Sequence, residues 1–317
     1  MCLRPPMSRG FDVLGLGVST LDIVTLVDHF PTQDEVQRAL AVMVQGGGPV
    51  STALVALARL GAGVAMLDVL SDDWRGNLIR DEFRREAVDT GFLERIEGYT
   101  SSIASIWVRQ GDGARSIAYA PGTVPDLSAA GVSPDVVASA RFLHLNGRHW
   151  GACLQACQYA RESGVRVSFD GGAHRFRPEL KELVPLIDIC IVARDFAEQY
   201  TQETEIQKAA EGLLSEGPSL VVITDGTRGS WINPRQGQPF HQPAYLMPDV
   251  VDTTGCGDSY HGAFLFGLLQ GLDLEQTAAL ASAVAALNSQ ALGGRTGLPT
   301  LNQVTSFLAA RAVSIPL

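Results

Sequence analysis

Cysteine is scarce in this chain and odd in number: Cys2, Cys153, Cys157, Cys190 and Cys256 form no arrangement that reads as a disulfide framework, which fits a reducing compartment. Cys153 and Cys157 stand four apart on an expected helix, with no Cys or His pair at zinc spacing nearby, so they read as buried apolar residues. No run of about 18 apolar residues occurs, so no membrane span is expected. Met1 to Gly10 has two arginines and two prolines but no apolar signal core, and is expected to be a loose tail on a cytoplasmic protein. Basic charge is the minority: 24 Lys and Arg against 34 Asp and Glu leave a net charge of -10, which argues against a nucleic-acid groove. No G-x-x-x-x-G-K-[ST] run exists, which excludes a P-loop ATPase. Gly15-Leu16-Gly17 follows a strand, but Thr20 stands where a dinucleotide fingerprint needs its third glycine, so a dehydrogenase is disfavoured. The six histidines form no cluster along the chain, and none is assigned a role.

What is present is a glycine-framed turn, Asp252-Thr253-Thr254-Gly255-Cys256-Gly257-Asp258, directly before the apolar segment Ser259 to Gln270. Small residues let backbone N–H groups point together, and the N-terminus of the following helix adds partial positive charge, so an anion forming there is stabilised. Asp258 sits where it can take a proton from an attacking hydroxyl. Capping of the helix is the other role open to an aspartate at that position. A second turn, Thr224-Asp225-Gly226-Thr227-Arg228-Gly229, follows the strand Leu220 to Ile223, and its glycines let polyphosphate approach the backbone. Near the N-terminus, Gln45-Gly46-Gly47-Gly48-Pro49 opens a helix ending in Ala58-Arg59-Leu60-Gly61.

These three motifs, in this order, resemble those of the ribokinase-like (PfkB) carbohydrate kinases, over a span from about Asp12 to about Leu308. The residue pattern agrees with such an α/β fold. Strand candidates at Val13–Leu16, Val64–Leu70, Phe142–Leu145, Val165–Phe169, Ile187–Val192 and Leu220–Thr224 alternate with helix candidates at Ser51–Leu60, Gly76–Val88, Gly151–Ser163, Ile206–Leu214, Ser259–Gln270 and Leu274–Ala291. Alternation of this kind gives a mostly parallel sheet with helices on both faces. Strands without intervening helices, Leu21–Val27 with Val36–Val44 and Ile103–Arg109 with Ser116–Ala120, form by the resemblance a small β-sheet lid over the sugar; an antiparallel edge extension is the other arrangement they allow. A kinase domain over residues 11–317 after a tail at 1–10 is expected, with exposed lid edges pairing two chains into a homodimer.

The resemblance implies ATP and Mg²⁺, and a small sugar with ketose or furanose character. It implies Asp258 as base, with Gly255, Cys256 and Gly257 as the anion hole. Asp22, Gly47, Gly48, Thr52 and Arg148 face the acceptor; Thr224, Gly226, Gly229 and Asn288 face the nucleotide. Asp252, Thr254 and Gly293, in or near the loop Ala291–Gly297, are implied for a monovalent cation, K⁺. Two departures stand out: Thr52 replaces the family's usual asparagine, and Ala193 to Glu198 lacks the N-x-x-E segment found near Mg²⁺, leaving Asp195 and Glu198 as lesser contributors. The stretch Gly15 to Asp28 and Asn146-Gly147-Arg148 are similar to ketohexokinase-type members, while Gly46 to Pro49 and Gly293 to Pro299 are similar to kinases of sulfofructose. A nucleoside kinase, with Trp107, Tyr119 or Phe30 against the base, and a non-catalytic sugar-binding protein are the alternatives.

Overall fold

The structure, a computed structural model, describes residues 10–316. The expected tail lies outside the described residues apart from Gly10. Strands are β1 Phe11–Leu16, β2 Thr20–Val27, β3 Ala41–Gly47, β4 Val64–Ser71, β5 Val88–Ile96, β6 Ser102–Arg109, β7 Arg115–Ala120, β8 Ala140–Leu145, β9 Arg166–Gly171, β10 Ile189–Ala193, β11 Leu220–Thr224, β12 Ser230–Pro234 and β13 Phe240–Gln242. Helices are α1 Pro49–Leu60, α2 Trp74–Arg85, α3 Pro134–Ala138, α4 Trp150–Ser163, α5 Leu180–Leu183, α6 Arg194–Thr201, α7 Ile206–Glu216, α8 Cys256–Leu269, α9 Leu274–Asn288 and α10 Leu301–Ala309.

The large sheet runs β13-β12-β11-β10-β9-β8-β1-β4-β5; from β11 to β5 every pairing is parallel, and β12 and β13 add antiparallel pairings at one edge. Its central strands are apolar on both faces; β4 is buried along its whole length, as expected for a sheet covered on both sides. One core holds Leu54, Phe83, Phe264, Leu280 and Val304 from α1, α2, α8, α9 and α10. The opposite core holds Val137, Cys153, Cys157, Phe196 and Leu213 from α3, α4, α6 and α7, with Cys190 of β10. Cys153 and Cys157 are buried as their helix spacing implied, and Cys190 is buried too. The helix α8 is apolar around most of its circumference because α1 and α9 both pack on it.

A second sheet, β3-β2-β6-β7, stands apart, with a small core of Val24, Ala104, Ile106 and Val108. Its outer strand begins at Ala41 rather than at Val36, whose side chain is fully exposed. The alternating pattern did not reveal β5, β12, β13, α3, α6 or α10. The edge strand β5 carries Asp89, Gly91 and Glu94 among its apolar residues, and the others are short. The helix α2 stops at Arg85, and Ala87, at φ 56°, turns the chain directly into β5.

Candidate active site

The strand order reverses beside β1: β4 and β5 lie on one side, and β8 to β11 on the other. In an open α/β sheet the crevice beyond the carboxyl ends of such strands is where ligands bind. Here Gly17 after β1 lies against Asn146 Oδ1 after β8.

Asp258 is the third residue of α8 and is half-buried. Gly255, at φ 72°, is the N-cap, and a Cβ there would lie 2.5 Å from the carbonyl oxygen of Gly294, so the turn admits only glycine. The N–H groups of Gly255, Gly257 and Asp258 have no partner among the described residues, and that of Cys256 has only a 3.4 Å contact with Thr253 O. These donors therefore remain open at a helix N-terminus. Burial pushes the Cys256 thiol up to about 12, so it adds no negative charge to the hole. Burial also raises the pKa of Asp258; the charge of Asp170 adds to the rise, and Arg175, His261 and Arg115 oppose it.

Asp22 of β2 is 6% exposed and its Oδ1 accepts from Thr20 Oγ1 at 2.7 Å. Burial lifts its pKa to about 6, against the opposing pull of Thr20 and Arg295 and with the help of Asp258 and Glu82. Gly47 has no room for a Cβ, which would fall on the Asp22 carboxylate; at Gly48, φ 97°, a Cβ would lie 2.5 Å from Val18 O. The turn is held from behind by Arg295, which is 2% exposed. Its guanidinium donates to Glu82 (2.9 Å), Thr52 Oγ1 (3.1 Å), Gly47 O (3.1 Å) and Ser51 Oγ (2.8 Å), while Glu82 accepts from Gly46 N. Thr52 is thus turned to Arg295 instead of outward. Arg148 is exposed on a turn whose neighbours Gly147 (φ 77°) and His149 (φ 56°) adopt left-handed backbone. It faces Tyr119 and rims a cavity of about 160 Å³ lined also by Ser19, Ser101 and Ser102.

The turn after β11 has Gly226 at φ 54° and Gly229 at φ 92°, and Thr224 Oγ1 contacts Val192 O at 3.4 Å. Glu198 pairs with Arg194 (2.7 Å) and Asp195 Oδ2 accepts from His174 N (2.7 Å), so neither carboxylate is free of partners. Asn288 is fully buried and donates to Gly294 O at 3.0 Å, bracing the loop that backs Gly255. Asp252, also fully buried, accepts from Thr254 N and Gly293 N, each at 2.8 Å. Asp252, Thr254 and Gly293 are therefore together, and Thr254 Oγ1 is a buried oxygen with no partner, which fits a cation ligand.

Residues 12–301 match the pfkB family of carbohydrate kinases. The chain belongs to the PfkB family. It is 27% identical to mouse ketohexokinase over 276 residues, covering 83% of this chain and 91% of the relative. It is 26% identical to 5-dehydro-2-deoxygluconokinase of Bacillus subtilis (strain 168), covering 96% and 98%. A solved Arabidopsis thaliana ribokinase complexed with ribose and ATP superposes with a TM-score of 0.79 at 22% identity, covering 94% of this chain and 98% of that one. As a PfkB carbohydrate kinase the protein is a sugar kinase with a ribokinase-like fold.

Several polar residues beside these motifs carry no local sequence signal. Arg115, at the start of β7, donates to Thr253 Oγ1 at 2.6 Å, and Thr253 Oγ1 donates to Gly113 O, so the β6–β7 hairpin rests on the loop that precedes α8. Arg175, after β9, is 3.9 Å from Asp170. The histidines do meet in space, contrary to the linear reading. His144 and His261 have ring centroids 5.7 Å apart beside Asp170. Burial lowers them to about 3 and about 4 respectively. His149 lies between Asp68 (2.8 Å) and Asp126 (3.1 Å); burial pulls its pKa down, but the two carboxylates outweigh it and the net shift is upward.

Proposed function

We propose that this sugar kinase transfers the γ-phosphoryl group of ATP to a hydroxyl, typically a primary alcohol, of a ketose or furanose. The observation that carries the reading is Asp258, a carboxylate of raised pKa in the first helical turn, beside N–H groups with no protein partner. A base works best with a pKa close to the working pH. Asp258 takes the hydroxyl proton as the oxygen attacks phosphorus, and the N–H groups of Gly255, Cys256 and Gly257 hold the charge on the transferring group. Each such donor is worth roughly 3 to 4 kcal/mol in other enzymes. Asp22, Gly47, Gly48 and Arg148 orient the acceptor, while Thr52 supports them through Arg295. Thr224, Gly226 and Gly229 take the nucleotide, and Asn288 acts through the loop it braces. Mg²⁺, when bound, would supply charge neutralisation at the phosphates; Asp195 and Glu198 would be lesser holders of it, since Glu198 is paired with Arg194. K⁺ is proposed beside Thr254 Oγ1, Asp252 and the Gly293 loop.

Closure of the lid excludes water from the transfer, and the contact of Arg115 with Thr253 supports that role for the hairpin. Val42 and Val44, 60% and 53% exposed, stand with Trp107 on the outer face of the lid and support a lid-to-lid homodimer. For a nucleoside acceptor, Tyr119 alone of the three aromatic candidates lines the cavity; Phe30 lies under Arg109. The test is ADP release from ATP and Mg²⁺ over fructose, ribose, sulfofructose, sugar acids, sugar phosphates and adenosine, with Asp258→Asn in parallel. Turnover of one sugar that collapses in the variant is expected. Turnover of adenosine alone would replace the sugar reading. Tight sugar binding without any ADP release would point to a non-catalytic binder.

A further inference from the structure

Between the sheet and α8, one layer beneath the base, three polar side chains are sealed from solvent: His144 of β8, Asp170 of β9 and His261 of α8, at 0%, 2% and 3% exposure. Neither oxygen of Asp170 has a hydrogen-bond partner, and nor do His144 Nε2 and His261 Nδ1. A buried carboxylate without partners is costly and calls for a compensating group. Arg175 answers it only in part, at 3.9 Å from Oδ2 and with 45% of its own side chain exposed.

The spacing suits a metal better than direct hydrogen bonding. One nitrogen from each imidazole and one Asp170 oxygen lie within 4.8 Å of one another. His261 Nε2 and Asp170 Oδ1 are 3.6 Å apart, too far for a hydrogen bond. Two ligands at about 2.0 to 2.2 Å from one ion, arranged tetrahedrally, are themselves roughly 3.4 Å apart. His144 also has the outer contact that orients metal-binding imidazoles: its Nδ1 lies 3.3 Å from Ser168 Oγ, which leaves Nε2 free to ligate. Asp170 ends near the carboxyl edge of β9, so the half-exposed Arg175 is the group an entering ion would displace.

We infer that His144, Asp170 and His261 form a site for one divalent d-block cation of the zinc type, separate from any nucleotide-bound Mg²⁺ and fastening the second turn of α8 to β8 and β9. Two imidazoles and a carboxylate suit zinc or cobalt, whereas magnesium prefers oxygen ligands throughout.

The test is titration of chelator-treated full-length protein with Zn²⁺ and with Co²⁺, followed by calorimetry, Co²⁺ visible absorption and the thermal unfolding midpoint. One equivalent bound, a Co²⁺ spectrum of low coordination number and a raised midpoint are expected, with no such response to Mg²⁺. Asp170→Asn keeps the side-chain shape, removes an unpaired buried charge and should abolish binding; His144→Gln should do the same. Ser168→Ala, which leaves all three ligands in place, should weaken binding by about 10 to 100-fold. If the ligand variants do not fold, the Ser168→Ala shift decides alone. No bound equivalent in the parent protein, or binding unchanged in Ser168→Ala and Asp170→Asn, overturns the proposal and leaves a buried water or a shared proton as the compensating group.

Discussion

At the scale of single residues, Asp258 and Gly255 make the sharpest claims. Replacing Asp258 with Asn keeps its shape and removes the proton acceptor, so kcat should fall by about 10² to 10⁴-fold with little change in acceptor binding. Gly255→Ala meets both a left-handed backbone and the Gly294 carbonyl oxygen 2.5 Å from the new Cβ. A cost of about 1 to 3 kcal/mol in denaturant unfolding is expected, together with a drop in kcat, because the displaced loop carries the open N–H donors. The three glycine turns stand out in the sequence because glycine type at fixed local spacing marks them, whereas Asp22 is singled out only by the family resemblance. Arg115 was not: its partner Thr253 is 138 residues away, and an arginine on an exposed strand carries no local mark of that contact. Shortening it, Arg115→Ala, should reduce kcat more than it alters nucleotide binding if closure of the hairpin onto the loop aligns the reactants.

Among the elements, the packing of α1, α2, β3 and the 289–298 loop around Arg295 is the most consequential. A buried guanidinium bonded to Glu82 and to the acceptor turn should be expensive to break on one side only. Arg295→Ala should cost about 3 to 5 kcal/mol, because Glu82 is left buried without its charge partner. A double change, Arg295→Met with Glu82→Leu, should recover much of that stability but not the acceptor KM, since Gly46 N and Gly47 O lose the groups that fix them. Denaturant melts and initial-rate kinetics on the same preparations separate the two effects. The alternation of strands and helices revealed the parallel core because buried central strands are apolar on both faces. The edges escaped notice for the opposite reason: β5 mixes charged and apolar residues, and β13 is three residues long. The helix α6 is held by Phe196 and Tyr200 packing into the core, a tertiary contact with no short-range signal in its eight residues.

For the whole molecule the pKa shifts set opposite trends in activity and stability. Asp22, raised from 3.8 to about 6, is charged above pH 6, and Asp258 shifts in the same direction. Activity should therefore fall as the pH drops through about 6, measured as kcat/KM. Because the folded pKa lies above the unfolded one, the contribution of Asp22 to stability is fully present below about pH 4 and lost as the pH rises through about 6. The difference amounts to up to roughly 3 kcal/mol. Unfolding midpoints of Asp22→Asn should accordingly vary less between pH 4 and 7 than those of the parent. The two-sheet architecture was legible at this scale, since the lid strands interrupt the helix alternation. The meeting of His144, Asp170 and His261 was not, because β8, β9 and α8 are brought together only by the completed sheet.

The Arg295 clamp also has a bearing on biosynthesis. The turn at Gly47 is synthesised first, and the guanidinium that holds Gly47 O follows 248 residues later. At about 5 to 20 residues per second, that is a wait of roughly 12 to 50 seconds in which Glu82 and the glycine turn exist without their cation. The turn at Gly47 is therefore held by a segment made long after it, and a nascent chain released short of residue 295 would carry every strand of the large sheet while lacking the cation that fixes that turn.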